Sequence, residues 1–127
     1  RLAAELKIGN QTYFLGMVRG ELKLSLYETA DVFVLPSSSE GLANAWVEAL
    51  ACGTPVVTSP IPGAAELITD PDWGRLVSRD SAAIAAAVAA LLAAPPAPER
   101  VQEAVAGMSW QANAAALIAH WRRLAAG

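Results

Sequence analysis

A chain of 127 residues, 54% apolar and 17% charged, is the size of one ordinary domain and can bury a core without disulfides or metals. Its net charge of −3, with basic residues scattered apart from Arg122-Arg123, excludes nucleic acid as a main partner, which would demand a basic stripe. The single cysteine, Cys52, permits no internal disulfide and suits a reducing, cytoplasmic setting. The longest apolar run, about 13 residues from Ala82 to Ala94, falls short of the roughly 20 that span a bilayer.

In chain order, Arg1 to Lys7 reads as the tail of a helix with no strand before it, so the chain is expected to start inside a domain. No apolar segment behind a basic start marks a secretory signal. Thr12 to Val18 (TYFLGMV) reads as a strand. Leu22 to Ala30 carries Leu22, Leu26, Tyr27 and Ala30 at helical spacing. Asp31 to Pro36 (DVFVLP) is a buried strand stopped by proline, followed by three serines, Glu40 and Gly41. A helix is predicted from Leu42 to Ala51, capped by Gly53, and Pro55 opens the strand PVVTS.

Further on, Pro60 to Gly63 reads as a turn, Ala64 to Ile68 as a short helix and Gly74 to Ser78 as a strand. Asp80 or Ser81 caps an alanine-rich helix to Ala94, which Pro95-Pro96-Ala97-Pro98 ends. Glu99 to Ala106 starts another helix, and Ser109 caps an amphipathic one to Ala125. Strands alternating with helices imply an α/β fold: a partial Rossmann-like parallel sheet with helices on both faces. The chain reads as a single incomplete domain, 1–127, with 109–125 as a C-terminal helix.

The chemistry-bearing stretch is Ser37 to Ser59, SSSEGLANAWVEALACGTPVVTS. Open α/β sheets bind ligands beyond the carboxyl ends of their strands. There a polar loop enters a helix whose free N–H groups carry about half a positive charge. Gly41 places no side chain in a ligand's way, so the expected guest is an anion such as phosphate. Two turns on, roughly 10 Å along the same face, Glu48 offers a carboxylate able to accept from two neighbouring hydroxyls. Glu40 stands at the loop-to-helix junction, where a carboxylate can hold sugar hydroxyls or face positive charge at an anomeric carbon.

The words ADVFVLPSSSEG, EALACGTPVVTS, PGAAELI and GRLV, running from about Ile8 to Val77, closely resemble the C-terminal domain of family 4 (group 1) glycosyltransferases of GT-B architecture. That resemblance implies transfer of a sugar from a nucleotide-diphosphate donor, with retention at the anomeric carbon and without a metal or other cofactor. It matches Glu48 to the glutamate that binds the donor ribose and Glu40 to the one against the transferred sugar. Gly41, Leu42, Ala43 and Asn44 then lie along the diphosphate and sugar. Gly16, Val18 and Arg19 match the segment whose backbone touches the base. It also implies a cytoplasmic enzyme of saccharide or polysaccharide synthesis, able to sit peripherally at the inner face of a membrane.

The sequence departs from that pattern in three ways. The basic pair that neutralises the diphosphate in the family lies in a Gly-rich segment absent here, and neither Arg19 nor Lys23 is identified as its substitute. Leu42 replaces a common phenylalanine, and Ala43 a glycine or proline, which leaves the donor sugar open. The acceptor-binding N-terminal domain is absent, so the saccharide or lipid-linked acceptor is unspecified and the chain alone is expected to be inactive. Leu117, Ile118, Trp121 and Leu124 would then lie exposed and favour self-association.

Other residues receive structural readings. Cys52 reads as a small core residue and Trp46, Trp73, Trp110 and Trp121 as packing residues. His120 reads as a surface or packing residue, and Asp31 as a maker of turn or cap bonds. Glu66 is divided between a family-like role and plain solvation, and no cluster has metal-ligand spacing. Two other functions stay open: a nucleotide-sugar epimerase of the same architecture, which would act on the donor without acceptor, and a non-catalytic interaction domain, which would bind no nucleotide.

Overall fold

The computed structural model describes residues 1–125. Its helices are α1 (Leu2–Glu5), α2 (Gly20–Thr29), α3 (Asn44–Ala51), α4 (Pro62–Leu67), α5 (Ser81–Ala93), α6 (Pro98–Gln102) and α7 (Trp110–Ala125). The strands are β1 (Phe33–Val34), β2 (Val56–Thr58) and β3 (Gly74–Leu76). They form one parallel sheet in the order β1-β2-β3, with Val56 opposite both Phe33 and Gly74.

The pleat of β2 explains the layering, because successive side chains of a strand leave opposite faces. Val56 enters the larger core with Trp46, Ala49 and Leu50 of α3, Ala64 and Leu67 of α4, and Val101 of α6. Its neighbour Val57 enters the second core with Ala87 and Leu91 of α5. β2 is therefore buried on both faces, which is why PVVTS carries no polar alternation.

Local chemistry fixes the element ends. At the end of α3 the Gly53 N–H donates to Leu50 O (3.0 Å) and the Thr54 N–H to Ala49 O (2.9 Å), the paired bonds of a Schellman cap. Gly53 sits at φ +84°, which a residue with a side chain rarely adopts. Asp80 caps α5 by accepting from the Ala83 N–H at 2.8 Å, and the Ser109 hydroxyl accepts from the Ala112 N–H at 3.0 Å to start α7.

Four expectations are corrected. Residues 12–18 form no strand: the segment is irregular, with Tyr13, Phe14 and Met17 at least 80% exposed. A strand needs a neighbour for its N–H and C=O groups, and this one bonds to neither edge of the described sheet. The paired part of DVFVLP is only Phe33–Val34, and Val34 is 40% exposed, outside the second core against which Val32 packs. Glu99 to Ala106 divides into α6 and a 3₁₀ turn, Glu103–Val105. Finally, Trp110 and Trp121 do not pack: every residue from Ala106 to Leu124 is exposed, because α7 stands off both cores.

Candidate functional site

The site lies at the carboxyl edge of the sheet. There the Thr58 hydroxyl donates to Leu35 O at 2.7 Å, and the Leu35 N–H donates to Val57 O at 3.0 Å. These bonds bind the ends of β1 and β2 side by side, so the loops that follow them leave together. From β1 the chain passes through Ser37–Ser39, Glu40 and Gly41 into α3; from β2 it passes through Ser59–Ile61 into α4.

The two loops meet at glycines. A methyl group built on Gly63 would lie 1.8 Å from the Gly41 carbonyl oxygen, so α4 is packed backbone to backbone against the loop that carries Glu40. Around Gly41 itself the same construction meets nothing within 4 Å, which leaves an open approach on its outer side. Gly63 was not singled out by the sequence reading. Its signal is a glycine at the second position of a helix, where alanine would be the better helix former.

α3 begins without a capping side chain, since its N-cap is Ala43. The Trp46 N–H donates back to Ala43 O at 3.0 Å, while the N–H groups of Asn44 and Ala45 have no intrahelical partner. Leu42 and Asn44 line a cleft of about 450 Å³ with Val47 and the start of α7 (Met108 to Gln111, and Asn113). Leu42 also borders a smaller cleft of about 260 Å³ with Gly63, Glu66, Leu67 and Met108. Glu40 and Gly41 are exposed on the loop, outside both clefts.

Glu48 is placed differently from its neighbours. Its side chain, about one-third exposed, turns toward α2, where Lys23 Nζ donates to Oε1 at 2.8 Å and the Tyr27 hydroxyl to Oε2 at 3.4 Å. The bond to Glu48 is the main cause that raises the Lys23 ammonium above its ordinary value of 10.5. Burial, then the Glu48 charge, raises the Tyr27 phenol. Tyr27 is itself fixed by an edge-on contact with Phe33 at 5.3 Å between ring centres, and its carbonyl accepts from the Thr54 hydroxyl. The segment Gly16–Arg19 leads directly into α2, so it lies about one turn before the residue that grips Glu48. Gly16 and Arg19 are exposed and Val18 is half-buried.

Of the sequence-predicted residues, the structure thus brings Gly41 to Asn44 to one helix start and sets Glu48 beside the helix that follows Gly16 to Arg19. It does not bring Glu40 into contact with any of them through a side-chain bond among the described residues.

The opposite, amino edge of the sheet is occupied by structural chemistry. Arg100 pairs with Asp70 at 2.5 Å, Asp72 at 3.5 Å and Glu103, and its carbonyl accepts from Trp73 Nε1 at 3.0 Å. This clamp ties α6 to the turn before β3, and Trp73 packs against the larger core as expected. Cys52 is half-buried at the same edge, in a cleft with Glu28, Asp31 and Pro96, rather than in the core. Burial, with Glu28 and Glu48 next, pushes its thiol up and keeps it protonated at neutral pH. The Asp31 carboxylate makes no bond to the described residues, contrary to the expected cap. Glu66 and His120 are exposed, and among the described residues no group of His, Cys, Asp and Glu could hold a metal ion.

These elements make a parallel α/β half-domain with an uncapped helix start at its carboxyl edge and, about one turn into that helix, a glutamate gripped by α2. The family model for glycosyl transferases group 1 matches residues 1–108, and the chain belongs to that family. It is 39% identical over 121 residues to D-inositol 3-phosphate glycosyltransferase 2 of Catenulispora acidiphila, covering 91% of this chain and 28% of the relative. It is 44% identical over 94 residues to the D-inositol 3-phosphate glycosyltransferase of Geodermatophilus obscurus, covering 73% and 21%. In structure it is similar to sucrose-phosphate synthase from Thermosynechococcus elongatus, with a TM-score of 0.85 and 31% identity over 98% of this chain and 33% of that one. The fold is thus that of a GT-B C-terminal domain, and the chain spans less than a third of the length of these relatives. Among the described residues no helix is long and apolar enough to cross a membrane.

Proposed function

We propose that this chain is the donor-binding part of a retaining glycosyltransferase. One observation carries the reading: α3 presents, on a single helix, an uncapped start behind the open Gly41 and an oriented carboxylate at Glu48. The diphosphate of a nucleotide sugar rests on the N–H groups of Leu42, Ala43 and Asn44, where the helix field favours negative charge. Glu48 accepts from the ribose hydroxyls, and the base lies along Gly16, Val18 and Arg19. Glu40, exposed on the loop before α3, holds the donor sugar.

In the transfer step the bond from the anomeric carbon to the diphosphate oxygen breaks, and the electron pair leaves with the diphosphate. The acceptor hydroxyl oxygen then bonds to the same face of that carbon and gives its proton to the departing diphosphate oxygen. Backbone N–H groups aimed at the departing phosphate stabilise charge as it develops. The remainder of the enzyme supplies the basic pair and the acceptor site, and the isolated chain is inactive. The names of the relatives support a small phosphorylated polyol as acceptor, and the place of action is proposed as the cytoplasm. Transfer is proposed without a metal, so EDTA leaves donor binding unchanged. In isolation the exposed Leu117, Ile118, Trp121 and Leu124 of α7 drive concentration-dependent self-association, read by analytical ultracentrifugation.

Calorimetric titration with UDP, GDP, ADP and their sugar conjugates tests the reading. One base is expected to bind best, and Glu48→Ala to weaken it by about tenfold or more, the worth of hydrogen bonds to a charged group. Equal binding by wild type and Glu48→Ala contradicts the role of Glu48, and no binding of any nucleotide favours a non-catalytic domain.

A further inference from the structure

We propose that Lys23 is a positioning residue: together with Tyr27 it holds the Glu48 carboxylate in the orientation that receives a ribose diol. The inference rests on the donor-site reading above and adds to it the residue that makes Glu48 ready.

The geometry is specific. Lys23 and Tyr27 stand four positions apart, hence on one face of α2, and each engages a different oxygen of Glu48. An ionised carboxylate offers about four acceptor positions. Two are taken by the ammonium and the phenol, and two remain for two neighbouring hydroxyls. A glutamate without these partners would rotate about several bonds, and ordering it would oppose binding. With them, that ordering is already done in the free protein.

The same contact explains why Lys23 is not the missing diphosphate cation. Its nitrogen lies 2.8 Å from Glu48, which stands four residues, about one turn, past the α3 start where the phosphates rest, and its charge is matched locally. Both side chains are about one-third exposed, so the pair is partly open to solvent. A bond that served only to join α2 to α3 would be indifferent to whether the ligand carries ribose hydroxyls, and this separates the two roles.

The test compares UDP, GDP and ADP with their 2′,3′-dideoxy counterparts, each titrated at up to millimolar concentration into the chain and followed by amide NMR. The proteins are wild type, Lys23→Met, Lys23→Arg and Glu48→Gln, with Lys23→Gln as a second variant if Lys23→Met disturbs the spectrum of the core. The expected result is that Lys23→Met weakens the ribonucleotide by about two- to fivefold, the scale of a partly exposed charge pair, and leaves the dideoxy ligand unchanged. Lys23→Arg, which keeps charge and donors, is expected to restore most of the loss. If Glu48→Gln selectively weakens the ribonucleotide but the Lys23 variants affect both ligands alike or neither, the positioning role is refuted and the donor site stands. If wild type binds no ribonucleotide, or Glu48→Gln does not discriminate, the donor-site reading fails and the role of Lys23 fails with it.

Discussion

Gly63→Ala inverts the usual effect of a glycine replacement in a helix. Gly63 is the second residue of α4, and propensity alone would make alanine more stable there by up to about 1 kcal/mol. The structure opposes this. The new methyl would sit 1.8 Å from Gly41 O, 2.5 Å from Gly41 C and 3.1 Å from the Leu42 nitrogen, whereas ordinary contact begins near 3.4 Å. The loop and α4 must part by about 1.6 Å, and both sides of the clash are backbone, which cannot swing away as a side chain can. Overpacking of this kind costs about 1–3 kcal/mol, and a clash this deep belongs at the upper end. A net loss of about 2 kcal/mol is expected once propensity is credited. For a chain of this size that is a fall in melting temperature of roughly 8 °C. Thermal and urea unfolding followed by circular dichroism measure it, with Gly107→Ala as control, since nothing lies within 4 Å of that site. Because the displaced loop carries Glu40 and Gly41, nucleotide binding should fall as well. A Gly63→Ala protein as stable as wild type, or more stable, would refute the packing of α4 on the loop.

Three other outcomes follow from the same geometry. Gly41→Val should leave stability within about 0.5 kcal/mol of wild type, as exposed substitutions do, because its side chain would point into open space; it should nevertheless obstruct donor binding in a calorimetric titration. Trp46→Ala empties the centre of the larger core, where Trp46 is 0% exposed, and should cost about 3–5 kcal/mol by urea unfolding, a large share of the stability of a domain this size. The Tyr27 phenol, raised above 10.0 by burial and then by the Glu48 charge, should ionise above that pH in an absorbance titration, as the component lost in Tyr27→Phe. Its folded value lies above its unfolded one, so the stability it contributes is present below pH 10 and is lost as pH rises through the folded value.

Much of the fold was legible because it is written in short-range chemistry. The all-apolar PVVTS, the glycine after ALAC and the aspartate before an alanine run each determine their surroundings within a few residues, and β2, the Schellman cap at Gly53 and the Asp80 cap appear where those signals stand. The α3 start was legible to within two residues, expected at Leu42 and found at Asn44. Thr12 to Val18 misled because β-branched and aromatic content states only that a segment would pair if a neighbour were offered, and the described sheet offers none. The face of α7 shows helical spacing, but spacing cannot say what covers the face, and nothing among the described residues does. The two contacts that organise the site were out of reach. Lys23 meets Glu48 across 25 positions, and Gly63 meets Gly41 across a strand, so neither pairing leaves a local pattern.

The most direct test of the donor site is a backbone amide NMR titration of the chain with UDP, GDP and ADP, mapping which residues respond. Shifts are expected at Gly41, Leu42, Ala43, Asn44 and Glu48, with Gly16 to Arg19 responding to the preferred base, and they are expected to be lost in Glu48→Ala. Shifts centred instead on the amino edge around Cys52 and Pro96, or a wild-type response that Glu48→Ala leaves intact, would contradict the donor site.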